Sequence, residues 1–392
     1  MERTQVAIVG AGPAGLTLSH LLHRHGIESI VLERRDRAYV ERRLRAGVLE
    51  HGTVSLLRAL GLAGRLDREG LVHHGISLQF EGERHRIPLT DLTGGRAITI
   101  YGQHEVVKDL IAARLAAGCP IVFEAEEVSV HNVTSSKPHV RYRHGGQEHE
   151  IECDFVAGCD GSHGVCRSVI PANEFTTFER TYPFSWLGIL AAVPPSLDEV
   201  IYSYNRQGFA LHSMRGPKIT RLYLQCAPDE SADNWSDDQI WSELERRLAT
   251  NDGWALHDGP ILEKSITTMR SVVTEPMQYG QLFLAGDAAH VVPPTGAKGM
   301  NLAVADVRVL GDALAEWYRT GDRRALNEYS STCLRRVWRA EHFSWSMTSM
   351  LHTFPDSDAF QHKLQLSHLR YVCSSTAAAT SLAENYVGLD HV

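Results

Sequence analysis

The residues with the clearest chemical purpose are the glycines of Gly10-Ala11-Gly12-Pro13-Ala14-Gly15. They follow the apolar run Gln5-Val6-Ala7-Ile8-Val9, which predicts a buried parallel strand, and precede a helical pattern from Leu16 to His25. In that strand, turn and helix setting the spacing is a dinucleotide fingerprint. Gly10 makes the tight turn and Gly12 lets the backbone approach a pyrophosphate. Gly15, after Ala14, lets the helix pack on the strand with its amino end facing the phosphates. Glu33 ends the next apolar run, Ser29-Ile30-Val31-Leu32, where a carboxylate can accept from ribose hydroxyls.

Two later loops share this placement. Cys159-Asp160-Gly161-Ser162-His163-Gly164-Val165-Cys166-Arg167 follows the apolar strand Phe155-Val156-Ala157-Gly158. Gly286-Asp287-Ala288-Ala289-His290 follows Leu282-Phe283-Leu284-Ala285, so Asp287 stands at the carboxyl end of a strand, where open α/β sheets bind ligands. Glycines and prolines up to Gly299 then lead into an alanine-rich helix from about Met300. Its free N–H groups and positive partial charge suit the N1–C2=O edge of an anionic reduced flavin, although a loop with a helix-capping Asp fits the same residues.

Ser213 and Arg215 are two apart on a predicted strand and therefore share a face, as do Arg221 and Tyr223 on the returning strand. If the two faces coincide, a guanidinium fork, a hydroxyl and a phenol converge, a set suited to bidentate capture of a carboxylate. A surface hairpin with a solvated arginine is the other reading these residues leave open.

The three loops together resemble the single-component FAD-dependent aromatic hydroxylases, the class A flavoprotein monooxygenases. The resemblance spans the chain. It sharpens toward the branch acting on 4-hydroxybenzoate through Arg45-Ala46-Gly47-Val48-Leu49-Glu50, Tyr101-Gly102-Gln103, Tyr182-Pro183-Phe184-Ser185-Trp186-Leu187-Gly188, Val291 to Gly299 and Ala383 to Leu389. It implies non-covalent FAD, NADPH or NADH as cosubstrate, and O₂. The implied reaction forms 3,4-dihydroxybenzoate through a flavin C4a-hydroperoxide, in aromatic catabolism. By the same resemblance, Asp160 and Arg167 lie near cofactor phosphates and Asp287 near the ribityl chain. Arg43, Arg45, Val48 and Gln103 match flavin-contacting positions, and Gly299, Met300 and Asn301 match the helix start beside the ring.

Ser213, Arg215 and Tyr223 match the carboxylate site, with Trp186 on the apolar wall. Tyr202 would bond the substrate hydroxyl and relay a proton through Tyr386 toward His73, and the Pro294 carbonyl would face the same hydroxyl. A phenol titrates near pH ~10 and a histidine near ~6.5, so such a chain could export the phenol's proton. No second nucleotide fingerprint appears, so the nicotinamide is expected to dock transiently. Arg34, Arg35, Tyr39, Arg43, His163, Arg167 and Arg270 are the candidates. A sister hydroxylase acting on 4-aminobenzoate or 3,4-dihydroxybenzoate remains open. So does a non-catalytic relative that binds a protein, which would have no use for Gly286-Asp287 or the Arg215 clamp.

The 392 residues allow two or three domains with sizeable cores. A net charge of −8 leaves no basic footprint for nucleic acid or anionic membrane. Seven cysteines without CxxC or zinc spacing read as reduced thiols, and with them the expected location is cytoplasmic. No signal peptide, spanning helix or metal site is expected. The expected fold class is α/β: a discontinuous Rossmann-like FAD-binding domain with an inserted antiparallel-sheet substrate domain and a helical C-terminal region. Its parts would be residues 1–180, with a small β insertion near 74–97, then 181–267 for the substrate sheet. Residues 268–290 would form the return segment, and 291–392 the flavin-contacting helix and a helical region suited to a homodimer.

Overall fold

A computed structural model describes residues 2–43 and 47–389 of the chain. Its nucleotide-binding half begins with strand β1 (Val6–Val9), helix α1 (Pro13–Arg24) and strand β2 (Ser29–Leu32). Strands β3 (Ile76–Phe80) and β4 (Glu83–Ile87) follow, then β5 (Phe155–Gly158). Next come β6 (Thr176–Ala191), β7 (Ile201–Ser203), β8 (Ala210–Gly216), β9 (Ile219–Cys226), α2 (Asp237–Leu248) and β10 (Ile261–Glu275). The chain returns through β11 (Leu282–Leu284) to four long helices: α3 (Gly299–Thr320), α4 (Tyr329–Leu351), α5 (Ala359–Ser374) and α6 (Thr376–Val387).

Strands β11, β5, β1 and β2 lie side by side and parallel in a six-stranded sheet, with short strands at both edges. Every residue of these four strands is buried, which is why each reads as an unbroken apolar run rather than an alternating one. Helices α1 and α3 pack closely, and a Cβ on Gly311 would stand 3.2 Å from Cβ of Leu21.

The second sheet has eight strands, ordered from His290–Val291 through β10, β6, β9, β8, β7 and β3 to β4. Two features depart from the inserted antiparallel sheet read from the sequence. Strand β7 pairs in parallel with β3, so the 74–97 insertion extends this sheet and covers what would be an exposed edge. Strands β6 and β10, of 16 and 15 residues, run antiparallel to each other, and the 180/181 and 267/268 positions fall inside them.

The register gives the sheet two faces. Leu187, Ile189, Ile201, Leu222 and Leu224 form one core with α2, whose Ile240, Trp241, Leu244 and Leu248 recur at helical spacing behind a Ser236–Gln239 capping box. The opposite face turns Trp186, Tyr202, Phe209, Leu211 and Tyr223 toward α4, α5 and α6. All seven cysteines are free thiols. Among the described residues no helix is long and apolar enough to cross a membrane.

Candidate active site

The first loop is shaped by sterics at two glycines. Gly10 has φ +108, and a Cβ there would lie 2.3 Å from the Cys159 carbonyl oxygen. A Cβ on Gly15 would lie 2.0 Å from the Gly10 carbonyl oxygen. At Gly12 a Cβ would meet nothing within 4 Å, which leaves the open approach that a pyrophosphate requires. Ala14 is buried in the first turn of α1. The Glu33 carboxylate accepts the Ala11 amide (3.0 Å) and the Arg35 amide (2.8 Å), so it also ties down the loop it was expected to serve as a ribose acceptor. Asp160 accepts the Cys166 amide through Oδ2 (2.9 Å), while its Oδ1 is buried and unpartnered. Arg167 donates to the Ser162 carbonyl through Nη2 (2.9 Å), and its Nη1 is likewise buried and unpartnered. A spare acceptor and a spare donor beside an open glycine fit a group bearing both hydroxyls and phosphates. Gly10→Ala, forced into the left-handed region against backbone, should cost about 2 kcal/mol or more and strip flavin, read as a lower melting temperature and less bound chromophore.

The second loop lies at the end of β11. Gly286 has φ +61, and Asp287 follows it, half-buried. Helix α3 begins at Gly299, and its first intrahelical bond runs from the Leu302 amide to the Lys298 carbonyl (2.9 Å). The amides of Gly299, Met300 and Asn301 precede it, as a helix start requires. The Asn301 side chain is fully engaged: Oδ1 accepts from the Glu50 amide and the Thr53 hydroxyl, and Nδ2 donates to the Val48 and Ala297 carbonyls. What Asn301 leaves for a cofactor is therefore its amide. Val48 and Gln103 are half-buried at neighbouring chain segments, held close because a Cβ on Gly47 would stand 2.6 Å from the Tyr101 carbonyl oxygen. Arg43 is exposed, and Arg45 lies outside the described residues.

The substrate face is assembled by register. Tyr202 stands opposite Leu211, Leu211 opposite Tyr223, Ser213 opposite Arg221 and Gly188 opposite Tyr223. Opposed residues share a face and so do residues two apart, so Trp186, Tyr202, Ser213, Arg221 and Tyr223 point the same way, while Arg215, at a register irregularity between Met214 and Gly216, reaches the Ser213 and Tyr223 hydroxyls of that face. Arg215 donates through Nη1 to the Ser213 hydroxyl (3.2 Å) and the Met214 carbonyl (2.8 Å). Burial lowers its pKa, and no carboxylate among the described residues pairs with it. Burial pushes the Tyr223 phenol upward, but Arg221 and Arg215 outweigh it and hold the phenol below its usual range. Tyr202 and Tyr386 share a 2.7 Å hydrogen bond between their hydroxyls, and burial holds both phenols protonated. Trp186 stacks on Phe209 and donates to His352 Nε2 (2.7 Å), which leaves the His352 proton on Nδ1, facing the Thr348 carbonyl. The Pro294 carbonyl accepts the Ala297 amide (3.0 Å) and keeps one lone pair.

The relay read from the sequence would end at His73. Both its ring nitrogens are buried without a partner, and burial lowers its pKa to about 4 against the pull of Glu199 and Asp198. No hydrogen bond joins it to Tyr386. Enclosure without a contacting carboxylate leaves it neutral through the physiological range, rather than titrating near ~6.5.

Residues 3–344 match the model of the FAD binding domain family. The p-hydroxybenzoate hydroxylase of Acinetobacter baylyi is 49% identical over 389 residues, covering 99% of this chain and 96% of that protein. The chain belongs to the FAD-dependent aromatic hydroxylases. A 3-amino-4-hydroxybenzoate 2-monooxygenase of Streptomyces platensis is 28% identical over 80% of each chain. The p-nitrophenol 4-monooxygenase of Pseudomonas putida shares the fold, with a TM-score of 0.84 over 99% of both chains at 18% identity.

In this FAD-dependent hydroxylase the coenzyme candidates are exposed or half-buried. Arg34, Arg35 and Tyr39 are exposed, with the Arg35 guanidinium 5.1 Å above the Tyr39 ring. His163 is exposed and Arg270 half-buried on β10, opposite Thr181. Sequence reading missed Lys298, which is buried and donates to Glu50 (2.6 Å) and to the Asn385 and Tyr386 carbonyls. A lone lysine among glycines and prolines was the available signal. It missed Asp306 as well, an acid in the otherwise apolar stretch Leu302 to Val307.

Proposed function

We propose that the protein hydroxylates 4-hydroxybenzoate at ring carbon 3, consuming NAD(P)H and O₂ and releasing 3,4-dihydroxybenzoate. The observation that carries this reading is the shared sheet face, with a guanidinium at Arg215 that no carboxylate among the described residues pairs with and a joined phenol pair at Tyr202 and Tyr386. The relative at 49% identity supports the same substrate. Arg215, with Ser213 and Tyr223, binds the carboxylate and orients the ring. The substrate's 4-hydroxyl meets the Tyr202 hydroxyl, with the free lone pair of the Pro294 carbonyl as a second partner. A phenol titrates near pH ~10, so about one molecule in a thousand is ionised at neutral pH, and attack on electrophilic oxygen requires the ionised ring. The Tyr202–Tyr386 hydroxyl pair passes the departing proton along its hydrogen bond, each phenol giving up its own proton as it takes the next, and the last one leaves to solvent. Trp186, Phe209 and Leu211 keep water from the ring.

The residues around Gly12, Asp160, Arg167, Asp287 and the start of α3 would hold FAD, which supplies hydride acceptance from NAD(P)H and oxygen activation when bound. Arg34, Arg35, Tyr39 and Arg43 are the proposed first docking residues for the coenzyme, with His163, Arg167 and Arg270 beyond them. Phe360, Leu364 and Tyr371 form an exposed apolar stripe on α5, which supports a homodimer.

The test measures NADH and NADPH oxidation by the FAD-replete protein over a panel of para-substituted benzoates, with product analysis. Oxidation should be stimulated most by 4-hydroxybenzoate, yield 3,4-dihydroxybenzoate, and accompany about one dissociable flavin per chain. Faster coupled turnover of 4-aminobenzoate or 3,4-dihydroxybenzoate would reassign the substrate.

A further inference from the structure

The Gly286-Asp287 turn is anchored from below by a buried pair that the reaction scheme does not use. Asp306 lies about two turns into α3. Its Oδ2 accepts the Gly286 amide at 2.9 Å and the His290 Nε2–H at 2.6 Å. Both side chains are 1% exposed. Burial disfavours a charged His290, but the adjoining Asp306 carboxylate outweighs it and raises the imidazole's pKa. The same turn is squeezed by α3, since a Cβ on Gly286 would stand 2.9 Å from Cβ of Ala303. Its left-handed backbone therefore has a steric wall on one side and one carboxylate oxygen holding its amide on the other. The Ala285 amide, donating to the Gly158 carbonyl (2.9 Å), pins the preceding residue to the sheet. What remains free to project from the turn is Asp287.

We propose that Asp306, charge-balanced by His290, is a positioning residue that fixes Asp287 against the cofactor's ribityl and ring edge, so that flavin affinity and redox behaviour depend on a carboxylate that never touches the flavin. Burying this pair is costly, and replacing it with packed apolar groups would leave the Gly286 amide unsatisfied. The amide explains why the acid is needed, and the acid explains the histidine. Because Asp306 belongs to the helix whose first amides face the cofactor, the pair also couples the Asp287 turn to the start of α3.

This inference rests on the reading of Asp287 as a flavin-facing residue, and the test separates the two. FAD dissociation constant, bound-flavin absorbance spectrum and flavin midpoint potential are measured for Asp287→Asn, Asp306→Asn and the double variant, with melting temperature alongside. Asp306→Asn should weaken FAD about tenfold, the scale of one charge-assisted hydrogen bond, and shift the spectrum and potential. Its effect should largely vanish in the Asp287→Asn background. Additive effects, or a lower melting temperature with unchanged spectrum and potential, would show that Asp306 is structural only and overturn the proposal. If Asp287→Asn alone changes no flavin property, the Asp287 reading itself has failed. Should Asp306→Asn not accumulate as folded protein, His290→Gln carries the same cycle, since it keeps an N–H toward Asp306 and removes the imidazole.

Discussion

Arg215→Ala should bind 4-hydroxybenzoate a hundred-fold to several-thousand-fold more weakly, with flavin content and spectrum unchanged. The guanidinium donates to the Ser213 hydroxyl, the Met214 carbonyl and the Tyr223 phenol, no carboxylate among the described residues pairs with it, and burial already lowers its pKa. A cation in that position gains most from an anion, and the ligand's carboxylate is the natural partner. Removing one member of a buried ionic pair costs about 3 to 5 kcal/mol, and each ~1.4 kcal/mol is a factor of ten. Arg215→Lys keeps the charge but loses the planar fork, so it should fall between the two. Substrate titration followed by flavin absorbance or fluorescence gives the dissociation constant directly. An unchanged value would move the carboxylate to Arg221, the other guanidinium on this face, which already contacts Ser265 and Glu263.

Tyr202→Phe should leave binding and coenzyme oxidation in place while separating them from product. Its ring is buried, edge-on to Tyr386, and the phenyl replacement preserves that packing. What is lost is the 2.7 Å hydroxyl pair with Tyr386 and, with it, the partner of the substrate's 4-hydroxyl. The aromatic acid then stays neutral, and a neutral phenol is a poor nucleophile toward electrophilic oxygen. Coenzyme should be consumed with most of the oxygen leaving as hydrogen peroxide. The ratio of 3,4-dihydroxybenzoate formed to NAD(P)H oxidised, with peroxide assayed in parallel, measures this. A variant as tightly coupled as its parent would reduce Tyr202 to a packing residue. Because His73 is neutral and unbonded to Tyr386, a companion His73→Asn variant should perturb coupling far less than Tyr202→Phe.

Some of this protein was legible in its sequence because the information is local. The strand, turn and helix around Gly10, Gly12 and Gly15 follow from glycine sterics and an apolar run, and the same logic places Asp160 and Asp287 at strand ends. Arg221 and Tyr223 share a face by the two-residue period alone. What the sequence could not decide is which faces meet. Tyr202, Leu211, Tyr223 and Gly188 align only through the register of four strands, and a slip of one residue would turn every one of these side chains away. The parallel pairing of β7 with β3 is likewise a choice among distant edges. Asn301, Lys298 and Asp306 show the same limit in their polar contacts. Asn301 and Lys298 find partners about 250 positions away in the chain, at Glu50 and Thr53, and no local pattern specifies such pairs. Titration is decided there too. His73 falls to about 4 and His290 rises because one is enclosed alone and the other is enclosed against Asp306, a difference that burial and neighbours create and residue type does not.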